Sequence, residues 1–419
     1  MKYKRLLFLI CLCAVLFQCS CLDEDFWNSS DYRVPSEEVP GFASDAVGAK
    51  DYFVLRSRLQ NSLIQFANKK KARVAFLGGS ITNMNGWRRM TCQELERRFA
   101  EMEFDFVNAG IPSTDSTLGA FRLEKDVFSR GRVDLLFVEF AVNDLHNSRS
   151  KTERTRGIEG IIRRARELNP NIDIVMLYFI DPSYMPIINA GKTPEVIASH
   201  TRVAEYYNVP SIDLAREVTE RIEAGEFKWS KFRDLHPSPF GHRLYADSIG
   251  RLLDAAWQKE PEKDAEMSAY AVPDKPLDQN NYASGRYIDI AKAKLADGWE
   301  YVESWNAAEG ATRPRFVNVP MLVAKEAKAT LKLKFEGTAI GLLEVAGPDV
   351  GIIEYSIDSS EFAQLDQFTR WSGHLHIPWA YMLNTDLKAG EHELILRTTG
   401  KKNANSKGTA ARIAAFLAN

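Results

Sequence analysis

Cysteine is nearly absent from the body of this chain. Of five cysteines, Cys11, Cys13, Cys19 and Cys21 fall at the extreme N-terminus, and only Cys92 lies beyond it. This excludes a disulfide framework and a cysteine-based metal site. Cys92 itself sits in a helical pattern and reads as a small buried hydrophobe. A surplus of charge of either sign is also missing. The 54 basic and 56 acidic residues leave a formal net charge of -2, so no electrostatic case exists for a nucleic-acid partner. No cluster of histidines and carboxylates has metal-ligand spacing. No glycine pattern follows a strand in the dinucleotide or P-loop form. Neither a metal nor a cofactor is expected. What the chain does have is length and apolar content: 419 residues, 45% hydrophobic. That suffices for two or three domains and excludes wholesale disorder.

The N-terminus reads as a targeting segment over 1–21. Lys2, Lys4 and Arg5 precede the apolar run Leu6 to Phe17, too short to span a bilayer comfortably but right for a signal sequence. Ser20-Cys21 then resembles the end of a bacterial lipoprotein signal, with Cys21 the lipidated residue and Cys19 a second candidate. The acidic run Asp23-Glu24-Asp25 resembles surface-exported lipoproteins of Gram-negative bacteria. The expectation is export, with an N-terminal lipid anchor in the outer membrane. An ordinary cleaved signal peptide is the alternative. Residues 22–50 read as a tether and lead-in.

From 51 to 258 apolar runs alternate with helical patterns. Helical spacing runs from Asp51 to Lys69. Strands are expected over Arg73–Leu77, Phe104–Ala109, Val133–Val142, Ile172–Ile180 and Val209–Leu214. Helices are expected over Trp87–Met102, Thr117–Ser129, Thr152–Leu168, Pro194–Tyr207 and Pro239–Gln258. Near-continuous apolar strands alternating with helices point to an α/β domain, a doubly wound parallel sheet of five strands. In such a fold ligands bind outside the carboxyl ends of the strands. Those ends carry Gly78-Gly79-Ser80, Asn108-Ala109-Gly110, Asn143-Asp144 and Asp181, and Asp234-Leu235-His236 follows the fifth strand. A hydroxyl, a free glycine amide, an asparagine and an Asp/His pair thus share one rim. Acyl transfer needs these parts: nucleophile, base, a group to orient the base, and donors for an oxyanion. Read singly, each has a plain structural role. Ser80 can cap a helix, Gly110 and Asn143 can make turns, His236 can be a loop residue, and Asp234 can cap the helix near Pro239.

Together these blocks resemble the SGNH, or GDSL, hydrolases. Gly78-Gly79-Ser80-Ile81-Thr82 is similar to the first block, Gly110 is the glycine of the second, Ala141-Val142-Asn143-Asp144 matches the third, and Asp234-Leu235-His236-Pro237 the last. The resemblance implies a flavodoxin-like fold with Ser80 as nucleophile, His236 as general base, and Asp234 orienting it. It likewise implies that Ser80, Gly110 and Asn143 form the oxyanion hole. The chain departs from the family at Gly79, where Asp is usual, and at Ala141, where Gly is usual. One residue, not two, separates Asp234 from His236. In an extended segment residues two apart point the same way, which still lets Asp234 reach the imidazole; a serine–histidine pair braced by a backbone carbonyl is the alternative. Gly79, Trp87, Arg88 and His146 are candidates to border the substrate, with core packing an equal reading for Trp87. Glu139, in an apolar run, must be paired or protonated, and Arg122 is the expected partner. His200 and His242, on helices, are assigned surface or packing roles.

Residues 259–275 are charged and punctuated by proline, which reads as a linker. From 276 to 419 short alternating runs such as Thr330–Phe335, Ile352–Ile357 and Glu393–Arg397 suggest an all-β, jelly-roll-like sandwich. With the first domain this resembles two-domain carbohydrate esterases. Trp299, Trp305, Trp371 and Trp379 are candidates for stacking on sugars or for core filling. The segment Trp371–His376 is placed to reach over the cleft. The expected activity is serine-dependent removal of O-acyl groups from an acylated carbohydrate. The alternatives are the same chemistry on a lipid or methyl ester, or a glycan-binding surface lipoprotein without catalysis.

Overall fold

The computed structural model describes residues 50–419 apart from 263 and 309. The expectations for the signal segment, for Cys21 and for the tether up to 49 lie outside the described residues.

The first domain is a six-stranded sheet with helices on both faces. Its strands are β1 (Phe53–Val54), β2 (Lys71–Gly78), β3 (Glu103–Gly110), β4 (Leu135–Val138), β5 (Asp173–Leu177) and β6 (Ser211–Ile212). The order is β1-β6-β5-β4-β2-β3. The five expected strands run parallel, and β1 adds a short antiparallel edge on β6. The expected 51–69 helix is therefore shorter: β1 takes its start, and α1 covers Gln60–Asn68. Val74, Ala75, Phe76 and Leu77 of β2 are fully buried, as a strand covered on both faces must be. The sheet reverses its winding between β2 and β4, which is where such folds open a crevice.

Short helices take over at that edge. α2 (Ser80–Asn83) follows β2, α3 (Trp87–Arg98) comes next, α4 (Ser116–Leu123) follows β3, and α5 (Ala141–His146) follows β4. The apolar run Val133–Val142 thus divides into a four-residue strand and a helix start, and Glu139 lies past the strand rather than within it. α6 (Lys151–Leu168) begins with a capping box between Ser150 and Glu153. α7 (Pro239–Ala256) begins with Ser238 as cap and proline in its first turn.

The C-terminal domain is all-β. A seven-stranded sheet and a five-stranded sheet comprise it. In the five-stranded sheet, Thr330–Gly337 buries Leu331, Leu333 and Phe335 and exposes Lys332, Lys334 and Glu336, the period-two pattern read from the sequence. The seven-stranded sheet is buried on both faces. Leu322, Leu342 and Ile413 belong to the sandwich core, whereas Val323, Leu343, Val345, Ala380 and Leu417 join the core of the α/β domain. That explains why every residue of Ile340–Ala346 is buried. Residues between the domains pack on the α/β domain: the Tyr270 N–H donates to Pro170 O, and the N–H groups of Leu277 and Asp278 donate to the Glu159 carboxylate.

Candidate active site

The run Val74–Leu77 ends at Gly78 because the chain there must turn over a carboxylate. A Cβ at Gly78 would strike Glu139, and one at Gly79 would strike the side chain of Asn143. Gly79, expected to border the substrate, is a glycine because the Asn143 side chain packs against it. Its N–H donates to Glu139 Oε1 at 2.8 Å, and Thr82 Oγ1 donates to the same oxygen at 2.7 Å. Glu139 is thus the brace beneath the turn that carries Ser80. The expected partner Arg122 is engaged elsewhere, with Ala109 O, Gly78 O, Thr114 and Asp126. Burial raises the Glu139 carboxyl to about 7, against the pull of its two donors.

Ser80 stands at the first position of α2, partly exposed, with Oγ 2.8 Å from His236 Nε2. Residues 156 apart in sequence meet here at hydrogen-bond distance. Burial lowers the pKa of His236; the carboxylate of Asp234 opposes this, and Arg313, Arg233 and His146 reinforce it. Its imidazole is therefore held in the neutral form that can accept a proton.

Asp234 uses its carboxylate differently from the expectation. Oδ1 accepts the backbone N–H of His236 at 2.6 Å, an Asx-type turn that the two-residue offset favours. His236 Nδ1 lies 3.8 Å from that oxygen, beyond hydrogen-bond reach. Asp234 supplies charge near the imidazole and a fixed backbone turn beneath it.

Asn143 lies in the first turn of α5, its side chain against Gly79 and so beside Ser80. Gly110 ends β3 opposite Gly78. A side chain at 110 would run into the backbone of Asn83, which explains the glycine. Its N–H points to Asn108 Oδ1 at 3.0 Å, so an oxyanion there would compete with that side chain. Next to Asn143, Asp144 is fully buried. It accepts the Ser116 N–H at 2.9 Å and bonds His200 Nε2 at 2.7 Å, tying the loop after β3 to α5. His200 is a packed core residue, as expected.

One candidate leaves the cleft. Trp87 is buried among Phe76, Phe137 and Phe179 and donates Nε1–H to Ile81 O at 3.1 Å. It is core, not pocket lining. Arg88 donates to Thr82 O at 3.0 Å and fastens α3 to α2. His242 packs behind Trp87, accepting its N–H at 3.2 Å, and burial pushes its pKa down to about 3. Burial likewise holds the free Cys92 thiol up at about 12.

His146 does border the rim. Its Nε2 bonds Asp181 Oδ2 at 2.7 Å, and its Nδ1 accepts from Arg370 Nη2 at 2.8 Å. Arg370 comes from the β-domain, as do two further arginines. Arg313 donates Nε–H to Ser113 Oγ at 3.2 Å, and Arg315 donates to Asn108 O at 2.9 Å. Nothing periodic in the sequence marks these three; only the docking of the two domains brings them to the rim. Among the described residues no group of three or more histidines, cysteines or carboxylates could hold a metal ion, and no helix is long and apolar enough to cross a membrane.

Residues 76–244 match the GDSL-like Lipase/Acylhydrolase family. No curated protein matches the chain in sequence. Among solved structures, a two-domain esterase described as active on acetylated mannans and co-crystallized with mannopentaose superposes with a TM-score of 0.69 at 20% identity, covering 86% of this chain and 94% of its own. A second structure described as a two-domain esterase active on acetylated mannans gives 0.68 over the same shares, also at 20% identity. An acetyl xylan esterase from Geobacillus stearothermophilus covers 43% of this chain and 94% of its own, with a TM-score of 0.36 at 18% identity.

Proposed function

We propose that this carboxylic ester hydrolase, whose residues 76–244 form a GDSL-like lipase/acylhydrolase domain, removes O-acetyl groups from a polysaccharide through an acyl-enzyme on Ser80. The observation that carries the reading is the Ser80 Oγ–His236 Nε2 bond of 2.8 Å at the rim where Asn143 stands. His236 Nε2 takes the Ser80 proton as Oγ attacks the ester carbonyl carbon. The Asn143 side-chain amide and the Ser80 N–H receive the oxyanion, joined by the Gly110 N–H as it gives up Asn108 Oδ1. Collapse breaks the carbonyl carbon–sugar oxygen bond, and the departing sugar oxygen takes the proton from His236 to leave as a hydroxyl. Water then attacks the acetyl-enzyme, with His236 again as base, and acetate leaves.

The glycan part of this reading draws on the two-domain arrangement shared with the acetylated-mannan esterase. Export and anchoring at Cys21 belong to the same proposal and draw on the N-terminal sequence: an enzyme acting on a polymer works outside the cell. A glycan-binding module that had lost its chemistry would have no use for the Ser80–His236 bond. The test is acetate release from a panel of acetylated glycans, with S80A as control. Release by the wild type and silence in the variant support the reading; activity confined to small aryl acetates sets the polysaccharide aside.

A further inference from the structure

The exposed tryptophan of the β-domain lies against the candidate site. Trp305 and Trp299 are buried and Trp379 is half-buried, but Trp371 is 37% exposed. Its ring centroid is 6.1 Å from that of His146, with the planes tilted by 58°. The guanidinium of the preceding Arg370 lies 4.7 Å from the indole centroid and also donates to His146 Nδ1 at 2.8 Å. His146 is held from the other side by Asp181, which accepts the Ser183 N–H at 2.9 Å as well. The histidine is thus fixed at both nitrogens: Nδ1 accepts, and Nε2–H donates to a carboxylate.

His146 follows Asn143 by three positions on α5. Residues at that spacing share a helix face, with Cβ atoms about 5–6 Å apart. The assembly of His146, Arg370 and Trp371 therefore begins one helical turn from the oxyanion donor. We infer that Trp371, clamped by Arg370 and His146, is a stacking platform built jointly by the two domains for a sugar ring neighbouring the one that bears the ester. The inference rests on the polysaccharide reading above. The chemistry fits a pyranose: an indole offers a flat apolar face to the ring C–H groups, and Arg370 retains further N–H donors for hydroxyls. Trp299 and Trp305, by contrast, are covered. A site for short esters would need no aromatic surface one turn away from the reacting carbonyl.

The test compares two substrates in the full chain. The first is a partially acetylated manno-oligosaccharide several sugars long; the second is 4-nitrophenyl acetate. The quantity is the ratio of kcat/KM for the two, measured in wild type, W371A, W371F and R370A. The platform predicts that the ratio drops about tenfold in W371A, the worth of one aromatic contact, mostly through KM. W371F restores most of it, and R370A loses part. An unchanged ratio in W371A, with the wild type active on the oligosaccharide, overturns the platform and leaves the polysaccharide reading standing. Equal losses on both substrates also overturn it, because they report damage to the site rather than lost sugar contact. A wild type that cleaves the aryl acetate and no acetylated glycan overturns the polysaccharide reading and the platform with it.

Discussion

The carboxylate of Asp234 holds the backbone N–H of His236 at 2.6 Å while standing 3.8 Å from that residue's Nδ1. The single intervening residue closes a turn instead of presenting the carboxylate to the imidazole. In a serine triad, altering the acid costs about 10⁴ in kcat. Here D234A is expected to lose only about 10- to 100-fold, because the imidazole keeps its bond to Ser80 and forfeits nearby charge rather than a hydrogen-bond partner. H236A and S80A are expected to lose about 10⁶. Steady-state kinetics on an aryl acetate decides; a loss in D234A equal to that in H236A contradicts the geometry.

Asn143 is expected to act on the transition state more than on binding. N143A should lower kcat about 10²- to 10³-fold with KM changed little. A rise in KM with kcat intact would make Asn143 a ground-state contact instead.

The pH profile follows from the charges around His236. Its pKa lies below the ordinary histidine value because of burial and the cations Arg313 and Arg233, with Asp234 opposing them. The base must be neutral, so kcat/KM rises with pH through that lowered pKa, and the acid limb lies below pH 6.5. R313Q removes a positive charge and eases protonation, so its acid limb shifts to higher pH. A shift in the opposite direction would refute the assigned influence of Arg313.

Glu139 makes a second, independent pH prediction. Its folded carboxyl titrates near 7, above the unfolded value of 4.5. Between those values the folded state retains a proton that the unfolded state has released, so this group's contribution to stability falls as pH rises from about 4.5 through 7. E139Q cannot titrate and keeps an acceptor for Gly79 and Thr82. The Tm difference between E139Q and wild type should therefore grow in favour of the variant from pH 5 to pH 8. E139A strips both donors of their acceptor and should cost activity at every pH. A pH-independent difference for E139Q would place the titration elsewhere.

The seven-stranded sheet lends one face to the core of the α/β domain, and buried Arg149 ties the two together. It pairs with Asp115 at 2.7 Å and Glu153 at 3.0 Å and donates to Ala380 O at 2.8 Å. Calorimetry should show one cooperative transition for both domains. R149A leaves the Asp115 carboxylate buried without its cation, held only by the Leu118 N–H and the Asn147 amide, a loss toward the low end of about 3–5 kcal/mol. Two well-separated transitions would contradict a shared core.

Much of this was legible in the sequence because it is local. A buried strand ending in Gly78-Gly79-Ser80, and Asn143 just past another, locate the rim by periodicity and turn chemistry alone. The alternation from Leu331 to Phe335 locates a sandwich strand in the same way. Glu139 was legible as a buried carboxylate but not its partners, since charge suggested Arg122 whereas the turn at Gly79 supplied backbone and hydroxyl donors. Trp87 was ambiguous because an aromatic near a nucleophile packs as readily as it lines. Arg313, Arg315 and Arg370 were invisible: each lies 200 or more residues from its partner across the domain boundary. The two-residue offset of Asp234 and His236 is plain in the sequence, but only the backbone decides whether such a carboxylate meets the amide or the ring.

In the proposed reaction acetyl passes from a glycan to Ser80. The most direct measurement is peptide mass spectrometry of enzyme quenched with acid during turnover of an acetylated glycan. Acyl transfer through Ser80 predicts an acetyl group on the peptide carrying that residue in the wild type, and none in S80A or H236A. Acetate released at the wild-type rate by S80A, or acetyl found on another residue, would contradict it.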